Sequence, residues 1–349
     1  MAFRNPSIKI LFPLIALSAA CAHAKLTDMK LRAIDTFGSK RLSALQVQHD
    51  YGTQIAAYSA RLDQHQYDEA TQLASQIQSS IKSHFQFAYV NISLISYYNA
   101  PYIGDYVTID VVEPEDAPVR LAFSLPPQGL YPDPDGLIDL MDQYFKKGMD
   151  LLRSGRLAPE KKCPVWHCMF GFDHPQLASY LEQFNSRVPR HEKELVTILQ
   201  KDSRSNFRGN AAFLLAHLKN GDSVVKDMLL ATRDPVSVVR NNAVRVLALI
   251  AANHPEIKIP VDPLLQVLNF PEATDRNKAS YAIVLLALMK ENAQPIIASG
   301  AVLISMLKLQ QPNNHDPAYA ILKNISGESF GERDYGAWQD WLIKHGTRF

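Results

Sequence analysis

Asp202-Ser-Arg-Ser-Asn-Phe-Arg208-Gly-Asn210-Ala211 and, 32 residues later, Asp234-Pro-Val-Ser-Val-Val-Arg240-Asn-Asn242-Ala243 are two versions of one phrase. Each opens an apolar run long enough for several turns of helix. A period in the thirties with helix-forming content is the signature of an α-solenoid. Such a fold presents a surface, so the expected role is that of a scaffold rather than a catalyst.

Working outward from the pair, the chain reads as helical from His174 to its end. Helices are expected at His174–Phe184, Glu192–Leu199, Phe207–Leu218, Val224–Thr232, Val236–Ala252, Asp262–Leu268, Thr274–Met289, Pro295–Leu309, Pro317–Ile325 and Gly336–Lys344. Alternate members are apolar nearly all round, as in Ala211-Ala-Phe-Leu-Leu-Ala216, Val244-Arg-Val-Leu-Ala-Leu-Ile250 and Tyr281-Ala-Ile-Val-Leu-Leu-Ala-Leu-Met289. A helix apolar on every face has to be covered on both sides. Stacked helical pairs do this, because one helix of each pair is sandwiched between neighbouring units.

The N-terminal half has another texture. Residues 25–83 read as helical, with a hairpin of two helices joined at Asp63-Gln-His-Gln66 and the second covering Tyr67–Phe85. Phe85–Tyr98 is rich in Tyr, Val, Ile and Phe, and Tyr106-Val-Thr-Ile-Asp-Val-Val112 alternates as a strand does. Val119–Leu125 is expected to pair with it across a turn at Glu113–Pro118, giving a β element of two or three strands. Ser124–Gly136 is a proline-rich loop, Leu137–Leu152 an amphipathic helix and Arg153–Lys162 a polar connector.

The first 24 residues are set apart. Arg4 and Lys9 precede the apolar stretch Ile10–Ala20, and Ala22-His23-Ala24 is a small-x-small cleavage signal. This order is that of a secretory signal peptide, with Lys25 as the mature N-terminus. Alternatives are a buried N-terminal helix, or a lipid anchor at Cys21, although Leu17 stands one place too early for that motif. Subtracting Arg4 and Lys9 from 36 basic residues leaves 34 against 35 acidic, a net charge of −1. With no basic stripe, nucleic acid is not an expected partner. No later segment has the 18 uninterrupted apolar residues of a membrane span.

The repeated phrase resembles the turn signature of HEAT repeats. The resemblance implies that the aspartate caps the second helix of a pair and that the arginine reaches the neighbouring unit's aspartate. Asp234-Pro235 also resembles the family pattern, and chemically aspartate suits an N-cap and proline a first helical position. Arg276-Asn-Lys-Ala279 keeps the arginine and alanine, but Phe270 stands where the aspartate would be. The unit around Pro317-Ala-Tyr-Ala320 keeps neither, as a terminal unit facing water tends to. The tail with Trp338 and Trp341 resembles the closing segment of some bacterial HEAT-like proteins, where it would cap the array. The fold expected is therefore mostly α. It comprises a signal peptide (1–24), an N-terminal α+β domain (25–160), a cysteine-containing junction (161–185) and a HEAT-type solenoid of about four helical pairs with a cap (186–349).

The densest chemical cluster is Cys163-Pro-Val-Trp-His167-Cys168 with Asp173-His174. An even cysteine pair in an exported chain reads as a disulfide. A metal site from Cys163, His167, Cys168 and His174, or a pair of free thiols, are the alternatives; their spacing matches neither a common zinc pattern nor a thioredoxin-like motif. His174 is also placed to cap the helix that starts at Pro175. Asp133 and Asp135 read as a turn and helix cap rather than a calcium loop, and Glu113, Glu115 and Asp116 as solvated turn residues. No nucleophile elbow, metalloprotease motif, phosphate loop or dinucleotide fingerprint occurs.

The function expected is an exported, periplasmic or secreted interaction scaffold that binds a protein partner, with no cofactor or metal. Arg204, Asn241, Asn242 and Arg245 are the candidate partner contacts, whereas Asp202, Arg208, Asp234 and Arg240 stitch the repeats together. The alternative is an enzyme or enzyme accessory: some HEAT-like proteins resemble bilin lyase subunits, or Cys163 and Cys168 could carry thiol or metal chemistry.

Overall fold

The computed structural model describes residues 29–98, 100–158 and 163–349, so the expected signal segment and Cys21 lie outside the described residues. The chain is mostly helical with one small sheet. The order is β1 (Leu31–Phe37), α1 (Ala44–Asp63), α2 (Tyr67–Phe85), β2 (Tyr89–Tyr97), β3 (Gly104–Val112), α3 (Ala117–Arg120) and α4 (Leu137–Arg153). Then come α5 (Pro175–Arg187), α6 (Glu192–Lys201), α7 (Ser205–Leu215), α8 (Gly221–Ala231), α9 (Ser237–Asn253), α10 (Asp262–Leu268) and α11 (Ala273–Leu286). α12 (Ala293–Ala298), α13 (Gly300–Leu307), α14 (Pro312–Ser326) and α15 (Tyr335–Lys344) close the chain.

Two expectations for the N-terminal half are corrected. Leu31–Phe37 is a strand, not part of a helical region, and it pairs in parallel with β3. Val119–Leu125 is not a strand; the antiparallel partner of β3 is β2, with Tyr89 opposite Val112 and Tyr97 opposite Gly104. The sheet order is β1-β3-β2, with α1 and α2 forming the crossover. The alternation of β3 divides its side chains between two faces. Val107, Ile109 and Val111 join a core with Ile55, Ile77 and Ile81 of α1 and α2. Thr108 and Asp110 point the other way, and both are fully buried. The polar face of this strand meets protein instead of water.

Helices α7, α9, α11 and α14 pack on one another in turn, and α6, α8, α10 and α13 each cover the helix that follows. One large core runs through these helices and takes in Leu137, Ile138, Met141, Tyr144 and Leu151 of α4. The apolar-all-round segments are the sandwiched ones: every residue of α7 from Arg208 to Leu215 is buried. At the end, Trp338 is fully buried against Tyr319 and Phe330, and its Nε1–H donates to the Gly331 carbonyl.

Two helix boundaries differ from expectation for identifiable reasons. The helix expected at Pro295–Leu309 breaks at Ser299, and at Gly300 a Cβ would come 2.6 Å from the Thr347 hydroxyl, so the tail presses against this joint. α14 begins five residues before the expected Pro317 and carries that proline inside. Proline cannot donate to the carbonyl four residues back. That carbonyl, on Asn313, instead accepts from the Asn277 amide at 2.9 Å.

Candidate interaction surface

The repeated phrase forms a ladder of buried ion pairs between units. Arg208 holds Asp234 through Nε and Nη2 at 2.6 and 2.8 Å, and Arg240 holds Asp275 through Nε at 2.8 Å. Each arginine also donates to the carbonyl six residues earlier: Arg208 to Asp202, Arg240 to Asp234 and Arg276 to Phe270. The Phe270 unit therefore keeps the geometry without the aspartate, because a backbone oxygen does the work. Asp234 is not itself the N-cap; its Oδ1 accepts the amide of Val236, the residue directly before α9.

Arg276 finds its carboxylate outside the array. It pairs with Asp110 on the polar face of β3, Nη1 to Oδ1 at 2.5 Å, with both side chains fully buried. Asp35 of β1 accepts the backbone amides of Gln310 and Gln311, which open α14, and Thr108 accepts from the Gln311 side chain. Arg276 thus reaches the sheet in addition to the next unit, since its Nε–H also donates to Asn314 Oδ1 at 3.1 Å.

A strap joins the two parts. Gly129 donates its amide to Lys201 O, Ser124 to Arg233 O, and the Arg120 Nε–H to Asn269 O. These three carbonyls stand immediately before Asp202, Asp234 and Phe270, so one extended segment visits the same point of three successive units. Arg204 belongs to this strap contact: it holds Asp202 and the Tyr131 carbonyl, and it lies over Phe207 with 3.3 Å from Cζ to the ring centre. The ladder edge of the helices is already covered by their own chain.

The opposite long face differs from one end to the other. Over α7 it is covered by α4 and by the cysteine segment. Asn210 bonds Ile138 O and Asp142, and His167 stacks on Phe213 with ring centres 4.6 Å apart. Cys163 and Cys168 stand at disulfide distance, with Cα atoms 5.7 Å apart. Burial pushes the His167 and His217 imidazoles down to about 3; for His167 the nearby Arg245 and His217 add to the effect. His174 caps α5 by accepting the Gln176 amide, and both Asp133 oxygens accept amides of α4. Glu113 is not a solvated turn residue; it is buried and paired with Arg41 and Ser39.

Over α9 and α11 that face carries half-buried side chains, among them Arg245 and Leu249 on α9 and Lys278 and Tyr281 on α11. Asn241 and Asn242 are buried and engaged internally: Asn241 bonds Ser237 O and Thr274, and Asn242 bonds Gly209 O at 3.1 Å. Arg245 is half-buried, and its Nη1–H donates to the Asn242 amide oxygen at 3.1 Å. On α11, half-buried Lys278 points its Nζ at the Asn277 oxygen. Among the described residues neither cation pairs with a carboxylate. Sequence reasoning named Arg245 but missed Lys278. The signal available was position: Asn210, Asn242 and Lys278 all stand two residues after a ladder arginine.

A cleft of about 100 Å³ lies where β2 meets the array, between Tyr89, Phe123, Arg240 and Glu272. Its polar groups are committed, Arg240 to Asp275 and Glu272 to Asn91. Among the described residues no cluster of three potential metal ligands forms, and no helix is long and apolar enough to cross a membrane. A scan against protein-family models finds no match, and no curated protein matches the sequence.

Proposed function

We propose that α6–α14 form a HEAT-type solenoid that serves, in an exported protein, as a protein-interaction scaffold. The observation that carries this reading is the ladder: three successive units repeat the same arginine-to-carbonyl bond, and two pass their arginine to the next unit's acid. Such an array is stitched by nearest-neighbour contacts and offers its remaining long face for binding. Its other edge is occupied by the strap and the sheet, which leaves the face over α9 and α11 as the partner surface. The cysteine pair supports an oxidising compartment, since disulfides persist outside the reducing cytoplasm. Thiol or metal chemistry at that segment finds no support in two sulfurs that face each other at bonding distance.

The test is in-cell photo-crosslinking from a probe at position 249 on α9, with mass spectrometry of the exported fraction. One dominant partner, lost when the probe is moved to the strap at position 128, is the outcome expected. Mature protein found only in the cytoplasm, or no partner from any position, would sink the reading. N-terminal sequencing starting at Lys25 checks the signal peptide separately.

A further inference from the structure

Arg245 and Lys278 depart from the pattern of the ladder arginines. The buried arginines Arg208, Arg240 and Arg276 each hold a carboxylate. Arg245 and Lys278 sit half-buried on adjacent helices, and among the described residues neither forms an ion pair. A half-buried cation without a counter-charge is costly, and selection for stability alone would remove it.

The local structure holds both cations in place. The Asn242 amide donates across to α7 at Gly209 O, which turns its oxygen toward Arg245. The Asn277 amide donates across to α14 at Asn313 O, which turns its oxygen toward Lys278. Each asparagine is thus oriented by a neighbouring helix and presents a neutral acceptor. That fixes the cation's direction without cancelling its charge. A fixed, partly desolvated cation loses little entropy when an anion arrives, and its attraction is less screened than at an exposed surface.

Two neighbouring segments lie within electrostatic reach of these helices. One is the cysteine segment, whose His167 feels the Arg245 charge and stays neutral. The other is the end of β2, whose Tyr97 is within electrostatic reach of half-buried Tyr281. Burial, with the charge of Arg245, brings the Lys278 ammonium down to about 8, so it remains charged near neutral pH and gains from an anion. Two half-buried cations, held in direction by asparagines, suit a carboxylate side chain delivered on a peptide segment.

We propose that this pair of cations, Arg245 and Lys278, receives an acidic side chain, aspartate or glutamate, of a partner polypeptide. This rests on the scaffold reading and adds the partner's chemistry to it. The test is fluorescence anisotropy of the full mature chain with a labelled peptide of alternating Glu and Gly, and with its Lys-Gly counterpart. The acidic peptide binds and weakens as salt rises, while the basic one does not bind. Arg245→Met/Lys278→Met weakens binding by roughly tenfold or more, and Arg245→Glu/Lys278→Glu exchanges preference toward the basic peptide. The thermal midpoint of the Met variant is equal to or above that of the wild type, which separates a lost site from a lost fold.

Equal binding of both peptides, or binding indifferent to the Met variant, overturns the proposal. So does competition by inorganic sulfate at the peptide's own concentration, which would make this a site for small anions. Crosslinking the same Met variant distinguishes the two levels. A partner captured as well by the variant as by the wild type leaves the scaffold standing and removes the acidic-side-chain inference. No partner with either form removes the scaffold first.

Discussion

Along one edge of the helical array, the ladder arginines are buried and matched with carboxylates; along the opposite face, Arg245 and Lys278 are half-buried and form no ion pair among the described residues. Arg208, Arg240 and Arg276 share one sequence position, and each closes a unit by holding its own turn and a carboxylate from elsewhere. Arg245 and Lys278 lie two to five residues further along the same helices and hold only amide oxygens. The difference shows how one helix serves two ends. Its N-terminal turn fixes the stacking, and its middle keeps charge in reserve.

The largest expected effect is at Arg276. Arg276→Met leaves Asp110 buried and unpaired, which costs about 3–5 kcal/mol. Urea unfolding measures it. Because the pair ties the sheet to α11, the variant also frees the sheet first, seen as faster amide exchange in β1 and β3. Asp110→Leu/Arg276→Met recovers most of the loss, since an apolar pair leaves no uncompensated charge. A single-variant cost under about 1 kcal/mol would mean that this rung, unlike its neighbours, is not structural.

The covered end of the face responds to acid. His167 and His217 have folded values near 3 against an ordinary 6.5. Below pH 6.5 the unfolded chain takes up protons that the folded chain does not, so stability falls with pH from 6.5 toward 3. At pH 5 this amounts to about 2 kcal/mol for each histidine. His217→Gln, which can keep its bond to Asn185, halves the slope of the stability–pH curve. An unchanged slope would show that the imidazoles are reached by water. Arg245→Met flattens the His167 share further, because one nearby positive charge is gone.

Much of the array was legible because its signal is local. Asp202, Arg208, Asp234 and Arg240 announce themselves by spacing, and the apolar runs between them fix helix type and burial. The acids held by the second and third ladder arginines were not legible. Asp275 lies five residues beyond the slot where Phe270 replaces the aspartate, and Asp110 comes from 166 residues away. Strand β1 was missed for a related reason. Leu31-Arg-Ala-Ile-Asp-Thr-Phe37 is short and half polar, and it becomes a strand through parallel pairing with β3 across two helices. Its Asp35 caps α14, a contact that no local pattern encodes. Val119–Leu125 has strand-like composition, but Arg120 donates to Val111 O and Gly38 O and turns the chain away as the strap. Among the candidate contacts, Arg204 belongs to that strap, whereas Arg245 is half-buried and bonds the Asn242 oxygen.

The cysteine pair borders both regions and has an intermediate effect. Its loop is short, five residues apart, so Cys163→Ser/Cys168→Ser costs about 2 kcal/mol, the low end for a disulfide. The loop also seats His167 on Phe213 and Trp166 on Leu218 O, so its loosening opens the face over α7. Faster amide exchange in α7, with α11 unchanged, is the expected pattern. Exchange that accelerates equally in both helices would mean that the loop does not belong to this face alone.

The smallest effect carries the opposite sign and separates the two kinds of cation most cleanly. Lys278 has a folded value near 8 against an ordinary 10.5. Between those values the unfolded chain holds a proton that the folded chain has released, so the lysine's contribution to stability rises with pH across that window. At neutral pH its charge is a burden, discounted because the side chain is still partly in water. Lys278→Met should therefore stabilise the protein by up to about 1 kcal/mol at pH 7, the gain vanishing as pH climbs past 10. Arg276→Met, by contrast, destabilises at both pH values. If Lys278→Met also destabilised at pH 7, Lys278 would have a hidden counter-charge, and the distinction between edge and face would collapse.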